Sequence, residues 1–515
     1  MTARSTRLSA GIGRLLVFAL CASVLGSVAF AQIEGTTLRV AQGMTIMTLD
    51  GGVEAQRQTV SLLFHIYDPL FFTARDGSLQ PGLALDYEFI EPLVMRVNLR
   101  QGVTFHNGEP FNAETVKFSI ERTQDPALAS QQRVFYAPID YVEVVDEYTV
   151  DIVTQAPTPD LPQRLAISPV TPRQYVIDHG DDHLSSNPVG TGPYVFEQWV
   201  RGSHVNLVAN PDYWGEQPMV ERIVWREISD DAARVNALLS GDVDFINVVP
   251  PDQLDVIAGR AGFEAVDVPS VRGVLVYIDT LRGPTADVRV RQALNYAVEV
   301  PEIIEFVLEG MGTPIINQTP SMYLGYDASL EGTYDYDPEK ARELLADAGY
   351  PDGFEVTMYT PVGRYVKDRE VAQAIAGQLA RIGLTVPVVA NEPAVNIRLL
   401  FDRHTVDEDT AAIFLLAYGL PVTEASLGWD EFLGSRTKTN LWVNQEFNSL
   451  VDEMLVTIDP AEREQLGHAA HAILVEDAPV IFLYQQHDVY AWSSSRVEWN
   501  PRADELVHVR DMVMR

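Results

Sequence analysis

Residues 99–119 read LRQGVTFHNGEPFNAETVKFS, and two periodicities meet in this one stretch. Residues 93–99 alternate apolar and polar side chains, and Val103-Thr104-Phe105 resumes the alternation. The two runs therefore read as strands flanking a turn at Gln101-Gly102. Asn112 then precedes a run at helical spacing, 113–122. Its side-chain oxygen can accept from the free N–H groups of a first helical turn, so it predicts a helix start. A strand pattern that gives way to a capped helix points to mixed α/β structure.

The same mixture extends in both directions. Upstream, 37–41 is strand-like, Gly43-Met44-Thr45 forms a loop, and 59–67 is apolar at helical spacing. Downstream, 142–153 alternates around Asp146-Glu147 and predicts a hairpin. The Pro-rich segment 156–172 interrupts regular structure. NPVGTGP, residues 187–193, is a tight loop before paired strands at 194–200 and 205–209. Helices are expected at 229–240, 288–298, 371–382 and after Asp337-Pro338-Glu339, where a capping acid and a first-turn proline coincide. Further strands are expected at 274–278 and 354–360. There is no short-period repeat and no flexible linker, so several domains without linkers imply a chain that crosses between lobes more than once.

The chain has 515 residues, 46% hydrophobic and 21% charged, which suits more than one folded domain. Acidic residues outnumber basic ones, 72 to 37, for a formal charge of −35. Such a chain repels phosphate backbones and anionic membranes, so no nucleic-acid partner is expected. Lysine occurs only at 117, 340, 367 and 438. Residues 1–31 read as a secretory signal peptide: Arg4, Arg7 and Arg14 lead an apolar run, and Ala29-Phe30-Ala31 offers the cleavage site. The sole cysteine, Cys21, lies in that run, so the chain from Gln32 is expected to be exported to the periplasm without a disulfide.

Chemical motifs are scarce. No G-x-S-x-G elbow, HExxH or phosphate loop occurs. His179 and His183 lie four apart, but the intervening Gly180 and acids favour a solvated loop over a metal site. His468 and His471 read as a satisfied, partly exposed pair on a helix over 461–476. Asp335 and Asp337 hint at a calcium loop that Pro338 spoils. No enzyme, metal or cofactor is called for.

Three segments carry a resemblance. The stretch 99–119 is very similar to the signature of extracellular solute-binding proteins of the dipeptide/oligopeptide ABC-transporter family, the peptide, nickel and opine type. NPVGTGPYVFEQWVRGSHVNLVANPDYWG, 187–215, resembles a second family segment. RVRQALNYAV, 289–298, and YDPEKARELLADAGYPDG, 336–353, resemble a third. The resemblance implies an α/β, two-lobed periplasmic binding protein fold with a hinge and an additional domain. Lobe I would gather 33–73, 188–270 and 488–515; the additional domain would be 74–187 and lobe II 271–487. His106, Gly190, Gly192 and Pro193 would then serve the fold rather than chemistry. The implied function is capture of a peptide or peptide-like solute by hinge closure, and delivery to ABC permease membrane subunits driven by their ATPases. The chain itself would act as a monomer.

By the same resemblance three stretches face the ligand. Gly43, Met44 and Thr45 either offer open backbone to the solute or form a plain strand-to-helix turn. Gly363-Arg364-Tyr365 resembles a GRY segment in which Arg364 would clamp a carboxylate through two parallel donors. In the third, many peptide-binding relatives carry a Trp followed by an Asp-Tyr pair. Here Tyr418 takes the Trp place, Gly419 follows, and Pro421 stands where the Asp would hold an ammonium. Glu424 would substitute as the ammonium partner or cap a turn, and Tyr418 and Trp429 would wall the cleft or join the core. Dipeptides, oligopeptides, glutathione-like solutes, opines, sugars and metal chelates all stay open as ligands. Two other classes compete: an exported peptide or glycan hydrolase, and a solute receptor for a membrane sensor.

Overall fold

Thr37–Gln42 is the strand its alternation predicts, and it pairs parallel with Arg222–Glu227 on one side and Phe245–Asn247 on the other. The computed structural model describes residues 36–75, 77–167, 169–403, 410–419, 422–434, 439 and 441–515. The signal segment, Cys21, Leu420 and Pro421 lie outside them.

The strand order across the main sheet runs Val388–Asn391, Val356–Pro361, Ala411–Tyr418, Glu264–Ile278, Val480–Trp492, Phe245–Asn247, Thr37–Gln42, Arg222–Glu227, His204–Ala209, Tyr194–Val200. Gly312–Pro314 pairs with Val480–Trp492 as an eleventh strand off this path. Two long antiparallel strands, Glu264–Ile278 and Val480–Trp492, join the two halves. Their register breaks between Pro269 and Gly273. Such an irregularity bends a strand locally.

Alternation along them decides what each half buries. Val274, Val276 and Ile278 join a core with Val290, Leu294, Ile375 and Leu379 on one face. Leu275 and Tyr277 point to the other face, into a core with Phe414, Trp429 and Phe447. The first half has its own core around Leu38, Val40, Trp225, Phe245 and Trp492. Each such fully buried side chain contributes about 1.5–3 kcal/mol.

A separate four-stranded sheet, Ala84–Glu91, Val94–Leu99, Thr149–Thr154 and Ile139–Asp146, packs on the helix Ala113–Gln124. Asn112 caps that helix, accepting from Glu114 N (3.1 Å) and Thr115 N (3.2 Å). Val103-Thr104-Phe105 is not a strand. Gly102 turns the chain at φ 76°, Thr104 makes one bridge to Pro110, and Val103 and Phe105 are buried in the domain core instead. Strand Ala84–Glu91, whose alternation is blurred by acids, pairs with Val94–Leu99 in its place.

NPVGTGP packs against the turn at His65 to Tyr67 that follows the helix Arg57–Leu63. A Cβ on Gly190 would lie 2.1 Å from Ile66 O, and one on Gly192 2.7 Å from it. His106 Nε2 lies 2.9 Å from Gly192 O, so this histidine fastens the loop. His471 departs from the partly exposed reading. It is fully buried, Nδ1 accepts from Asp327 N (2.9 Å), and Nε2–H therefore donates to Ile316 O (2.8 Å).

Candidate functional site

A cavity of about 560 Å³ lies where the two halves meet at the crossing strands. The first half supplies Met44, Gln56, Arg57, Gln58 and the run from Val248 to Pro251. Val271 and Arg272 come from one crossing strand and the run from Gln486 to Val489 from the other. The second half supplies Gly363 to Lys367 and Gly419, and Glu505 comes from the C-terminal segment.

The loop bearing Arg364 is built by one buried carboxylate. Asp368 Oδ1 accepts from Gly363 N (3.2 Å), and Oδ2 from Arg364 N (2.9 Å) and Tyr365 N (3.2 Å). Gly363 supplies φ 74° for the turn, and Lys367 closes it at φ 53°. Tyr365 packs against the second-half core, leaving the Arg364 guanidinium 5.5 Å from its ring centroid. Arg364 and Lys367 are exposed, and neither forms an ion pair among the described residues.

The opposing loop is equally fixed. Gln42 Nε2 donates to Met44 O (2.8 Å), and Met44 N donates to Gln58 Oε1 (3.2 Å). Met44 thus faces the cavity with its backbone already engaged. Gly43 packs near Arg234, where a Cβ would come within 3.0 Å of Nη1. Arg234 donates to Asn247 O (3.1 Å) and Val248 O (2.5 Å), holding Val248 at φ 51°.

Three residues at the cavity, Val248, Lys367 and Glu505, have left-handed backbone although none is glycine. Each such residue costs about 1–3 kcal/mol and persists only because its surroundings impose it, and such strain concentrates at binding sites.

Of the residues singled out from sequence, Met44, Arg364, Tyr365 and Gly419 come together at the cavity. Gly43 and exposed Thr45 flank it without lining it. Gly419 sits tightly on the crossing strand, where a Cβ would be 2.8 Å from Val271 O. Tyr418 is buried, edge-on to Phe432 at 5.5 Å. Trp429 is wholly buried and donates to Asn317 Oδ1 (3.1 Å). Glu424 is buried beside Arg463, 3.1 Å away. These three belong to the interior of the second half.

Sequence reasoning passed over Arg57, Arg272, Lys367, Asp488 and Glu505. Lys367 had a signal, as one of few lysines and adjacent to Gly363-Arg364-Tyr365. The others stand in no motif. Arg272 donates to Glu505 Oε1 and lies 3.8 Å from Asp488 Oδ1. Burial pushes the Asp488 carboxyl up to about 7, the charge of Glu505 adds to this, and Arg272 opposes it. A cavity with cationic side chains on one wall and carboxylates at its base can orient a small dipolar solute.

A family model described as bacterial extracellular solute-binding proteins, family 5 Middle, matches residues 78–440. The glutathione-binding protein GsiB of Escherichia coli (strain K12) is 27% identical over 495 residues, covering 93% of this chain and 94% of that one. The structure of HbpA2 from Haemophilus parasuis is similar at TM-score 0.85 and 24% identity, covering 93% of this chain and all of that one (100%). The structure of AgaA from A. tumefaciens R10, in complex with agropinic acid, is similar at TM-score 0.73 and 27% identity, covering 93% and 99%.

Proposed function

This chain belongs to the bacterial extracellular solute-binding proteins of family 5 and has their two-lobed α/β fold; on that premise we propose that it captures a peptide-like solute by hinge closure for an ABC importer. The observation that carries this reading is the cavity of about 560 Å³, lined by both halves and spanned by two crossing strands. Ligand contacts to both halves stabilise the closed arrangement, which the permease membrane subunits recognise. Their ATPases supply the work.

GsiB is named for glutathione, and AgaA was solved with agropinic acid. A small acid suits Arg364 and Lys367, two cations without ion-pair partners among the described residues. The separate cores support the division into lobe I (33–73, 188–270, 488–515), an additional domain (74–187) and lobe II (271–487). The break in register beside Gly273 supports a hinge at the lobe boundary. The chain is exported with cleavage after Ala31, works as a monomer without nucleic acid or cofactor, and hydrolyses nothing. Among the described residues no helix is long and apolar enough to cross a membrane, which accords with an exported form.

A thermal-shift screen of the purified exported protein tests this. Glutathione, dipeptides, opines, oligosaccharides and nickel chelates form the panel. A solute at a hundred times its Kd adds roughly 2.7 kcal/mol of stability. A peptide-like hit weakened by Arg364→Ala is the expected result. Hits confined to neutral sugars overturn the solute class, and turnover of peptides abolished by one substitution overturns the binding-protein reading.

A further inference from the structure

We propose that the additional domain is a clasp: fastened to lobe I, it also grips lobe II at Val422 and Leu427, so that the hinge opens only by breaking this contact. This rests on the two-lobed, hinge-closing reading above and deepens it by naming what holds the lobes together beyond the crossing strands.

The side facing lobe I is tied down by several bonds. Arg122 donates to Asp50 Oδ1 (3.2 Å) in lobe I and to Asp181 Oδ1 (2.8 Å) in its own domain. Ser130 Oγ donates to Gly52 O (2.6 Å), Gln131 N to Val53 O (3.0 Å) and Gln132 Nε2 to Gly51 O (2.8 Å). The loop 50–53 and the segment 130–132 are thereby joined as one body.

Three residues further on, the same segment reaches the other lobe. Phe135 and Ile167, from the additional domain, share a buried apolar cluster with Val422, and Leu427 packs against it. This cluster is separate from the core of the additional domain and from that of lobe II. On the lobe II side it is firmly based: Leu324 N donates to Thr423 O (3.0 Å), and Ala425 N donates to Leu324 O (3.2 Å).

An ion pair from each side lies beside the cluster. Arg164 Nε meets Asp160 Oδ2 at 2.7 Å in the additional domain, and Arg463 meets Glu424 at 3.1 Å in lobe II. The two pairs act on one another, Asp160 raising the Glu424 carboxyl pKa and Arg164 lowering it. Arg164 also donates to Phe135 O (3.4 Å), which couples the ionic half of the contact to the apolar half. All four charged residues are buried. Both pairs are kept from water by the opposite domain, a cover that opening removes.

The contact closes a ring of three bodies. Lobe I meets lobe II through the crossing strands Glu264–Ile278 and Val480–Trp492. The additional domain is covalently continuous with lobe I and bound to its 50–53 loop. Rotation of lobe II about the crossing strands therefore moves Val422 and Leu427 against Phe135 and Ile167, and this small patch is the join that gives. The solute cavity lies next to the same loop. Glu54 Oε1 accepts from Ala55 N (2.9 Å) and Gln56 N (2.8 Å), and both residues line the cavity. A solute that touches Ala55 or Gln56 bears on the loop to which the clasp is fastened.

The test reads lobe separation directly. The exported form has no cysteine once Cys21 is removed, so Glu216→Cys on lobe I and Glu343→Cys on lobe II, both exposed, can carry a pair of dyes. Single-molecule energy transfer is measured on the solute-free protein. Ile167→Asp and Leu427→Asp each put a charge into the apolar cluster, and each should raise the ratio of open to closed molecules about tenfold or more. The double variant should open no further than either single one, because both break the same contact. Ile167→Ala, a truncation only, should shift the ratio the same way and serves if a buried charge prevents folding. Additive opening overturns the clasp. So does unchanged transfer in the folded variants while glutathione, a dipeptide or an opine still closes the protein, a result that keeps the hinge. Transfer that neither the variants nor any of these solutes moves overturns the hinge reading, and the clasp with it.

Discussion

The Glu424 carboxylate and the Arg463 guanidinium lie 3.1 Å apart, their side chains only 4% and 5% exposed. Glu424 therefore has its cation inside the protein and does not face the cavity. Burial still pushes its carboxyl up to about 7, with Arg463 opposing and Asp160 adding to the rise.

A folded-state pKa above the unfolded one means that the folded protein holds the extra proton. This stability is full below the unfolded value, near 4.5, and is lost as pH rises through about 7. Denaturant unfolding of the native protein and Glu424→Gln between pH 4.5 and 7 reads it. The native protein's stability relative to the variant should fall with rising pH, by up to about 1.4 kcal/mol per unit.

His65 and His471 act in the opposite sense. Burial, their largest influence, lowers each to about 4. Their contribution is present above the ordinary value of 6.5 and is lost as pH falls through about 4. Imidazole C2–H resonances should show His65 and His471 still neutral at pH 5.5, together with buried His508, which burial also lowers, and one of these signals should vanish in His471→Gln.

Asp368→Ala removes the acceptor of three N–H groups in the loop that carries Arg364. A loss of about 3 kcal/mol in chemical denaturation is expected from the unsatisfied donors. Solute affinity should fall as well, because Arg364 loses its fixed position.

Gly190→Ala places a methyl group 2.1 Å from Ile66 O, with backbone on both sides of the clash. We expect a destabilisation of about 3 kcal/mol, seen as a lowered Tm. Gly202→Ala, where φ is 71° and a Cβ would meet nothing within 4 Å, gives the comparison for conformational strain alone.

Val248→Gly should stabilise. A β-branched residue at φ 51° pays about 1–2 kcal/mol for the left-handed region, which glycine avoids at a smaller cost in chain entropy. A net gain of about 0.5–1 kcal/mol in unfolding free energy is the expected outcome.

Local structure was legible wherever the deciding groups are neighbours in the chain. Asn112 and Asp337 each cap the helix that follows, since a cap needs only its own side chain and the next turn of backbone. The run 103–105 misled because its alternation is also what a buried loop shows when Val103 and Phe105 pack inward. Tyr418 and Trp429 were ambiguous for a related reason: an aromatic ring suits a cleft wall and a core equally, and only packing distinguishes them.

What the sequence by itself determined is most of the elements, the family segments and four residues that line the cavity, Met44, Arg364, Tyr365 and Gly419. The tertiary structure alone decided the cavity's base. Arg272 and Glu505 are 233 residues apart and meet because a break in strand register aims one at a turn that holds the other. Helix caps and alternation act over a few residues, so they are written in local patterns. The charge balance of a cavity depends on which distant strands pair and in what register, and no short stretch of sequence carries that information.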